Sequence, residues 1–354
     1  MSTSNYNYSR GPYSSPGLRS AIPPTLPDSV NEALASARSS GDWSRLKAIG
    51  KNLVRQGDYV RGWAAQADST VLRSAPAWPE WQGQPLLHKR LLVERCTGGI
   101  GAELRMARFM VSAAEAGCKV TASVEPRLVP LVGRSFPQIE VIDNTVKQQN
   151  RLSPDFTACY ERLAQYFGAN EQAIADSFRP LVPDRIRRDI LRRTYERSNP
   201  KVIGIAWYSV NPRKLLPSLE NWAGLLSAFD VQFVSLQYDE SKVGLARLAK
   251  SAQREVLPSA DIDQLKDIEG FAAQVAAVDL VITISNTTAH MAGALGIPCL
   301  VLLDDLPHLV WPATGDKTPF YPATTLIRAN GRDGAAVMRA AIPVVKRMLA
   351  CREG

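Results

Sequence analysis

The pattern of apolar and polar residues divides the chain into stretches that predict different kinds of structure. Residues 1–27 are rich in Ser, Tyr, Pro and Gly, which predicts a disordered tail because such a segment has little to bury. From residue 28 apolar side chains recur at helical spacing, and Gly41 and Gly57 interrupt them. Residues 28–85 are therefore predicted to form a short helical segment followed by a proline-rich linker.

Beyond residue 85 short apolar runs alternate with amphipathic ones, which is typical of parallel βαβ units. The first region, residues 86–198, has predicted strands at 90–95, 119–125 and 139–143. Its later part, residues 144–198, is predicted to be mostly helical and irregular. The second region, residues 199–354, has predicted strands at 202–207, 231–237, 280–285, 298–303 and 325–328. This pattern predicts an α/β protein with two Rossmann-like parallel-sheet domains and a ligand cleft at the carboxyl ends of their strands.

Charge and composition narrow the choice of partners. A net charge of +8 favours anionic partners such as nucleic acid, membrane surfaces or phosphorylated small molecules. The densest basic stretch runs from Asp184 to Arg197. Ile186, Ile190 and Leu191 recur there at helical spacing, so the arginines are predicted to occupy a solvated face. The stretch matches no nucleic-acid-binding module, so no nucleic-acid partner is expected.

The sequence also predicts a soluble, cytoplasmic protein. No apolar run reaches the roughly 18–20 residues of a membrane span, and the start lacks the apolar stretch of a secretory signal. The five cysteines contain no CxxC pair and are interpreted as reduced thiols. With three histidines and no clustered ligand set, neither a metal site nor a cofactor is expected.

A glycine-rich turn between the first predicted strand and its helix is the first candidate site. Gly98, Gly99 and Gly101 would let a ligand approach the helix N-terminus, whose N–H groups favour anions. Gly99 and Gly101 fit the start of a dinucleotide fingerprint, but Leu104 occupies its third glycine position. Glu125 lies where a ribose-binding acid would follow. Two alternatives stay open here: an NAD-dependent oxidoreductase, or a glycine turn with no ligand.

The second candidate site is the turn that ends the predicted strand at 280–285. Four small polar residues precede a helix rich in Ala and Gly: Ser285, Asn286, Thr287 and Thr288. One N-cap is enough to start a helix, whereas several hydroxyls together with free backbone N–H groups favour a phosphate site. A simple cap remains the alternative.

The third candidate site follows the strand at 202–207. The segment Trp207–Lys214 supplies a hydroxyl, an amide and two cations on one turn, at the same edge of the predicted sheet. A cation there could neutralise a departing diphosphate without a metal. A solvated loop is the alternative.

These segments together resemble a known family. The chain contains GGIGAELRMARF (98–109), VTASVEPRLVPLV (120–132), IGIAWYSVNPRK (203–214), FVSLQ (233–237), AAVDLVITISNTTAHMAGALGIPCLVLL (276–303) and WPATGDKTPFYP (311–322). Their order and spacing resemble the sugar-transferring region that follows tetratricopeptide repeats in many bacterial proteins, related to the ADP-heptose:lipopolysaccharide heptosyltransferases. The resemblance runs from about Leu91 to the C-terminus. It implies the GT-B fold and transfer of a sugar from a nucleotide-diphosphate donor to a hydroxyl, without a metal and with inversion.

The resemblance also implies roles for residues. The donor set would comprise Ser209, Asn211, Arg213, Gln237, Ser285, Asn286, Thr287, Thr288, Ala289 and His290. Within it Thr287, Thr288, Ala289 and His290 would bind the diphosphate, and Gln237 would line the nucleotide pocket. Gly98, Gly99 and Gly101 would face the acceptor.

One departure from the family concerns the catalytic base. Relatives commonly carry Gly-Asp-Glu where this chain has Gly101-Ala102-Glu103, and the aspartate is the proposed base. Glu103 and His290 are therefore the catalytic candidates; otherwise the base lies elsewhere, or transfer is lost. A catalytically inactive GT-B binding or scaffolding protein is the first alternative function.

The acceptor is left open between a bacterial surface protein such as flagellin and a saccharide. The helices of residues 28–85 resemble part of a tetratricopeptide array, which favours a protein acceptor, although one unit does not establish a repeat. Nothing in the sequence decides whether the protein is a homo-oligomer.

Overall fold

The structure is a computed structural model that describes residues 28–70, 78–94, 98–145, 152–211, 214, 216–239, 243–259, 261–304, 311–329, 331 and 333–350. The predicted disordered tail at residues 1–27 lies outside the described residues. So does Arg213, one of the predicted donor-binding residues.

The described part of the chain begins with three helices: α1 (Asp28–Ser39), α2 (Trp43–Arg55) and α3 (Tyr59–Asp68). Asp42 caps α2 by accepting a hydrogen bond from the backbone N–H of Arg45. α2 and α3 approach each other closely, because a Cβ built on Gly50 would lie 2.7 Å from the carbonyl oxygen of Gly62. Glycine at these two positions is what lets the two helices form a tight hairpin.

These helices pack against residues far along the chain. The Trp63 ring meets Phe320 edge to face with a centroid distance of 6.3 Å. The backbone N–H of Ala313 donates a hydrogen bond to the carbonyl oxygen of Arg55 at 3.1 Å. Burying a large apolar side chain such as Trp63 stabilises the fold by roughly 1.5–3 kcal/mol. The helical segment is thus anchored to the sheet-forming part of the protein.

The first sheet, within the described residues, has four parallel strands in the order β3-β2-β1-β4. They are β1 (Arg90–Glu94), β2 (Lys119–Val124), β3 (Glu140–Asp143) and β4 (Phe156–Cys159). The helices in this part of the chain are α4 (Ile100–Met106), α5 (Arg108–Glu115), α6 (Val129–Ser135) after a 3₁₀ turn, α7 (Tyr160–Phe167) and α8 (Glu171–Asp176). The next helix, α9 (Arg185–Tyr195), packs instead against a helix of the second sheet-forming part.

Strand β4 corrects the sequence prediction, which treated residues 144–198 as helical and irregular. The strand is four residues long, which is too short for the pattern of apolar and polar residues to identify it. It pairs with β1 on the side away from β2. The carboxyl edge of the first sheet, where its parallel strands end, therefore includes the turn that joins β4 to α7.

The second sheet, within the described residues, has six parallel strands in the order β10-β9-β8-β5-β6-β7. They are β5 (Val202–Ala206), β6 (Gln232–Ser235), β7 (Val256–Leu257), β8 (Leu280–Ile284), β9 (Cys299–Leu303) and β10 (Thr324–Arg328). The helices here are α10 (Leu219–Ser227), α11 (Leu245–Ala252), α12 (Ile268–Ala276), α13 (Thr287–Leu295) and α14 (Gly334–Ala350). β5 and β8 are buried along their whole length, as central parallel strands are.

Helix α9 also differs from its prediction. Ile186 and Ile190 are 75% and 51% exposed. Arg187 instead binds Asp267 before α12, and Arg192 binds Asp279 before β8. The helix therefore turns part of its basic face toward the protein, because carboxylates on the neighbouring elements offer charge-assisted hydrogen bonds.

Contacts between the two sheet-forming parts decide where a ligand can lie. Helix α4, which follows β1, packs against α13, which follows β8. One terminal nitrogen of Arg134 in α6 donates to both carboxylate oxygens of Glu269 in α12, at 2.7 and 2.9 Å. No helix among the described residues is long and apolar enough to cross a membrane.

Candidate active site

The turn between β8 and α13 uses two of the predicted donor ligands for its own fold. Asn286 is the N-cap of α13: its side-chain oxygen accepts from the backbone N–H of Ala289 at 3.3 Å and from the Thr283 hydroxyl at 3.0 Å. The Ser285 hydroxyl accepts a hydrogen bond from the Trp311 indole at 2.9 Å. Ser285 and Asn286 therefore shape the turn, and the N–H of Ala289 is already taken by the cap.

Thr287 and Thr288 are the residues of this turn that remain available to bind a ligand. Neither hydroxyl has a hydrogen-bond partner among the described residues, and Thr287 is exposed. Their backbone N–H groups belong to the first turn of α13, where a helix has no internal acceptors for them. Two hydroxyls and two N–H groups at the positive end of a helix are suited to phosphate oxygens.

His290 lies one turn further along α13 and is buried. Its ring stacks on Trp311 with a centroid distance of 5.2 Å and an interplanar angle of 5°, and its Nδ1 is 3.0 Å from the Tyr321 hydroxyl. Burial lowers the pKa of His290 to about 3, and the charges of Arg105 and Lys214 contribute in the same direction. The imidazole is therefore neutral near pH 7, so it does not supply an imidazolium to a departing anion.

The glycine turn lies directly against this histidine. A Cβ built on Gly101 would stand 2.7 Å from Cδ2 of His290. Gly98 has a φ of 112°, a left-handed conformation that other residues avoid, and Gly99 is the N-cap of α4. The first two predicted sites thus meet, with the start of α4 on one side and α13 on the other.

The third predicted segment reaches the same place through Lys214. Lys214 is half-buried, and its charge is among the causes that lower the pKa of His290. Ser209 accepts a hydrogen bond from the backbone N–H of Asn211 at 3.3 Å, and Asn211 is exposed. Ser209 therefore shapes this loop, while Lys214 brings a positive charge toward α13.

Gln237 has a structural role that the sequence did not predict. Its side-chain oxygen accepts from the backbone N–H groups of Trp207 and Tyr208 at 3.0 and 2.8 Å, and its side-chain nitrogen donates to the carbonyl of Tyr238. These bonds fasten the ends of β5 and β6 together. Gln237 also lines a cavity of about 350 Å³. Other residues that line it are Asp239, Ser259, Ile262, Asp263 and Lys266.

Glu103, the other catalytic candidate, faces the interior. It is 4% exposed, and its Oε2 accepts a hydrogen bond from the backbone N–H of Glu125 at 3.0 Å. Glu125 is in turn paired with Arg127 at 2.7 Å. The Glu103 carboxylate therefore joins α4 to the end of β2, and the neighbouring Ala102 carries no acid.

Two charged residues near this site were not identified from the sequence. Arg105 of α4 is 8% exposed and lies over the rings of Trp63 and Phe320, with distances of 6.0 and 5.2 Å from its guanidinium carbon to the ring centres. Glu161 lies in the first turn of α7, after the strand β4 that the sequence pattern did not reveal. Arg105 stands within the GGIGAELRMARF segment, so its position could have drawn attention.

Comparison with known proteins supports the fold. No protein-family model matches the chain. The protein FlbA of Caulobacter vibrioides is 29% identical over 301 residues, which covers 77% of this chain and 49% of FlbA. The chain thus spans about half the length of that relative.

Two solved structures resemble the protein over most of its length. A glycosyl transferase family 9 protein from Veillonella parvula has a TM-score of 0.59 at 11% identity, covering 76% of this chain and 99% of its own. The ADP-heptose lipopolysaccharide heptosyltransferase II of E. coli has a TM-score of 0.53 at 12% identity, covering 75% and 100%. At such identities the likeness shows a shared α/β fold with parallel sheets.

Proposed function

We propose that the protein is a glycosyltransferase of the GT-B type, which moves a sugar from a nucleotide-diphosphate donor to a hydroxyl acceptor. The observation that carries the proposal is the first turn of α13, where the hydroxyls of Thr287 and Thr288 have no partner among the described residues, set against the glycine turn at Gly101. The names of the two similar structures, a family 9 glycosyl transferase and an ADP-heptose heptosyltransferase, support the same chemistry.

The donor would lie along the carboxyl edge of the second sheet. Its diphosphate would bind Thr287 and Thr288, where the helix dipole and Lys214 offset the charge that develops on the leaving group. The nucleoside would occupy the cavity of about 350 Å³ beside Gln237. Leu265 is one of the residues that line this cavity. Its carbonyl accepts a hydrogen bond from Arg127, which follows β2 of the first sheet, so the first sheet-forming part also contacts the cavity wall.

The acceptor would enter from the side of α4 and the first sheet. A protein or a saccharide hydroxyl fits this proposal. Because α3 packs against α7 and α2 packs against α3, both helices would be part of that wall. We also propose that the transfer inverts the anomeric centre and needs no metal. Retention of activity in EDTA is the control for the last point.

Donor binding is tested by a thermal-shift panel of ADP-, GDP-, UDP- and CMP-sugars, with ADP-heptose first and NAD as the comparison. At a donor concentration of about 100 Kd, linkage stabilises the folded state by about 2.7 kcal/mol, which corresponds to a rise in Tm on the order of 5 °C. Replacement of Thr288 by Val removes the hydroxyl at nearly constant volume and should reduce the rise. A rise with NAD and with none of the sugar nucleotides would reject the transferase and favour an oxidoreductase.

A second function, sugar-nucleotide binding without catalysis, is favoured by one observation. Ala102 stands where relatives have the proposed base, and the Glu103 carboxylate is bonded to the backbone at Glu125. A protein of this kind would show the thermal shift but release no free nucleotide from any donor. The two functions therefore differ in turnover and not in binding.

A further inference from the structure

The proposed transfer needs a base beside the acceptor hydroxyl, but residue 102, where the family resemblance implies a carboxylate, is alanine. Ala102 cannot accept a proton, and Glu103 points to the end of β2. A base must come within hydrogen-bond reach of the hydroxyl that it deprotonates. The carboxyl edge of the first sheet is the place to look for it, because the glycine turn begins there.

Glu161 lies at that edge. Cys159, the last residue of β4, pairs in register with Glu94, the last residue of β1. Glu161 follows Cys159 by two residues and occupies the first turn of α7. Gly98 begins the described part of the glycine turn shortly after Glu94 in the chain, and α4 contacts α7, so Glu161 and α4 lie beside neighbouring strand ends.

The charges of side chains on two other elements act on Glu161. Lys47 and Lys51 come from α2, and Arg105 comes from α4. Arg105 is 8% exposed, and its Nε has no hydrogen-bond partner among the described residues. Asp68 of α3 is bound to Arg162 and Arg38. The charges of other elements that act most strongly on Glu161 are thus positive.

The surroundings of Glu161 suit a base. Burial raises the pKa of its carboxyl, while a hydrogen bond from its own backbone N–H, the charges of Lys47 and Arg105 and a hydrogen bond with the Cys159 side chain act in the opposite direction. Desolvation makes the carboxylate more basic, and the cations favour its ionised form. The pKa of Lys51 is lowered by burial and by the nearby charges of Lys47 and Arg105, with Glu161 opposing.

We propose that Glu161 is the catalytic base of the proposed transfer, in an acceptor subsite bounded by Lys51 of α2 and Arg105 of α4. The acceptor oxygen forms a bond to the anomeric carbon while the bond from that carbon to the donor phosphate oxygen breaks. The hydroxyl proton goes to the Glu161 carboxylate, and the bonding electron pair leaves with the nucleoside diphosphate. The inference rests on the proposed function, since without transfer there is no proton to take.

The test compares Glu161→Gln with Glu171→Gln, which changes an exposed glutamate in the first turn of the next helix. The substrate is the sugar nucleotide that gives the largest thermal shift, with water as the acceptor, and the readout is free nucleotide. We expect Glu161→Gln to lower kcat by about 100-fold or more, with the donor-induced rise in Tm retained. Glu171→Gln should stay close to wild type. In the wild-type protein kcat should rise with pH as the base loses its proton. This rise should be missing from Glu161→Gln.

A second variant distinguishes the loss of a base from a defect in folding. Glu161→Ala should be equally slow and should regain turnover when formate is added as an external base. A kcat for Glu161→Gln within threefold of wild type would overturn the inference and leave the proposed function standing. Absence of turnover by the wild-type protein with every donor in the panel would overturn the proposed function, and the role of Glu161 with it.

Discussion

Replacement of Gly101 by alanine is expected to remove most of the proposed transfer activity, whereas the same change at Gly99 should leave it nearly intact. A Cβ at position 101 would stand 2.7 Å from Cδ2 of His290, but a Cβ at position 99 would meet nothing within 4 Å. His290 cannot yield easily, because its ring is held between the stacked Trp311 and the Tyr321 hydroxyl. The start of α4 would have to move away from α13.

The expected losses of stability and of reaction rate follow from the packing. Overpacking a buried contact costs about 1–3 kcal/mol of unfolding free energy. A shift of about 1 Å between groups that position a substrate can cost roughly 100-fold in rate. Urea denaturation of both variants checks the loss of unfolding free energy, and the release of free nucleotide checks the loss of rate. Gly99 has a φ of −86°, so alanine fits its backbone and makes Gly99→Ala a matched control.

If Gly101→Ala and Gly99→Ala turned over donor equally well, the contact between α4 and α13 would have no role in the reaction. The donor-binding half of the proposal would then rest on Thr287 and Thr288 alone. A loss of stability without a loss of activity would show that the contact serves folding only.

The elements around α13 could be predicted from the sequence because local signals are strong there. The strand β8 is a short apolar run, and the polar turn and Ala-rich helix that follow mark α13. Asp267, a residue type favoured at N-caps, likewise caps α12 by accepting a hydrogen bond from the N–H of Gly270. Signals of this kind involve residues three or four positions apart.

Predictions about side-chain availability were weaker, because they depend on partners distant in sequence. Ser285 is occupied by Trp311, and Gln237 by the backbone at Trp207 and Tyr208. A polar residue in a motif can therefore serve either a ligand or the fold, and its type does not tell which. Glu161 is the opposite case: its position became visible only when β4 was found beside β1.

The buried state of His290 gives the second prediction of large effect, which concerns stability against pH. Its pKa falls from 6.5 to about 3 in the folded protein, so below pH 6.5 the unfolded chain binds a proton that the folded chain does not. The folded state therefore loses stability as the pH falls from 6.5 toward 3, by about 1.4 kcal/mol for each pH unit at most. Above pH 6.5 this contribution is constant.

The variant His290→Gln isolates this contribution, since glutamine does not titrate and can still bind the Tyr321 hydroxyl. Urea denaturation of both proteins between pH 7 and pH 4 should give unfolding free energies whose difference changes by roughly 3 kcal/mol, in the direction that disfavours the wild type in acid. The exposed His88, changed to Gln, provides the reference for losing a histidine elsewhere. Parallel curves for wild type and His290→Gln would mean that the imidazole takes up its proton without unfolding. In that case His290 would be available as a proton donor in the site, in keeping with its place among the catalytic candidates.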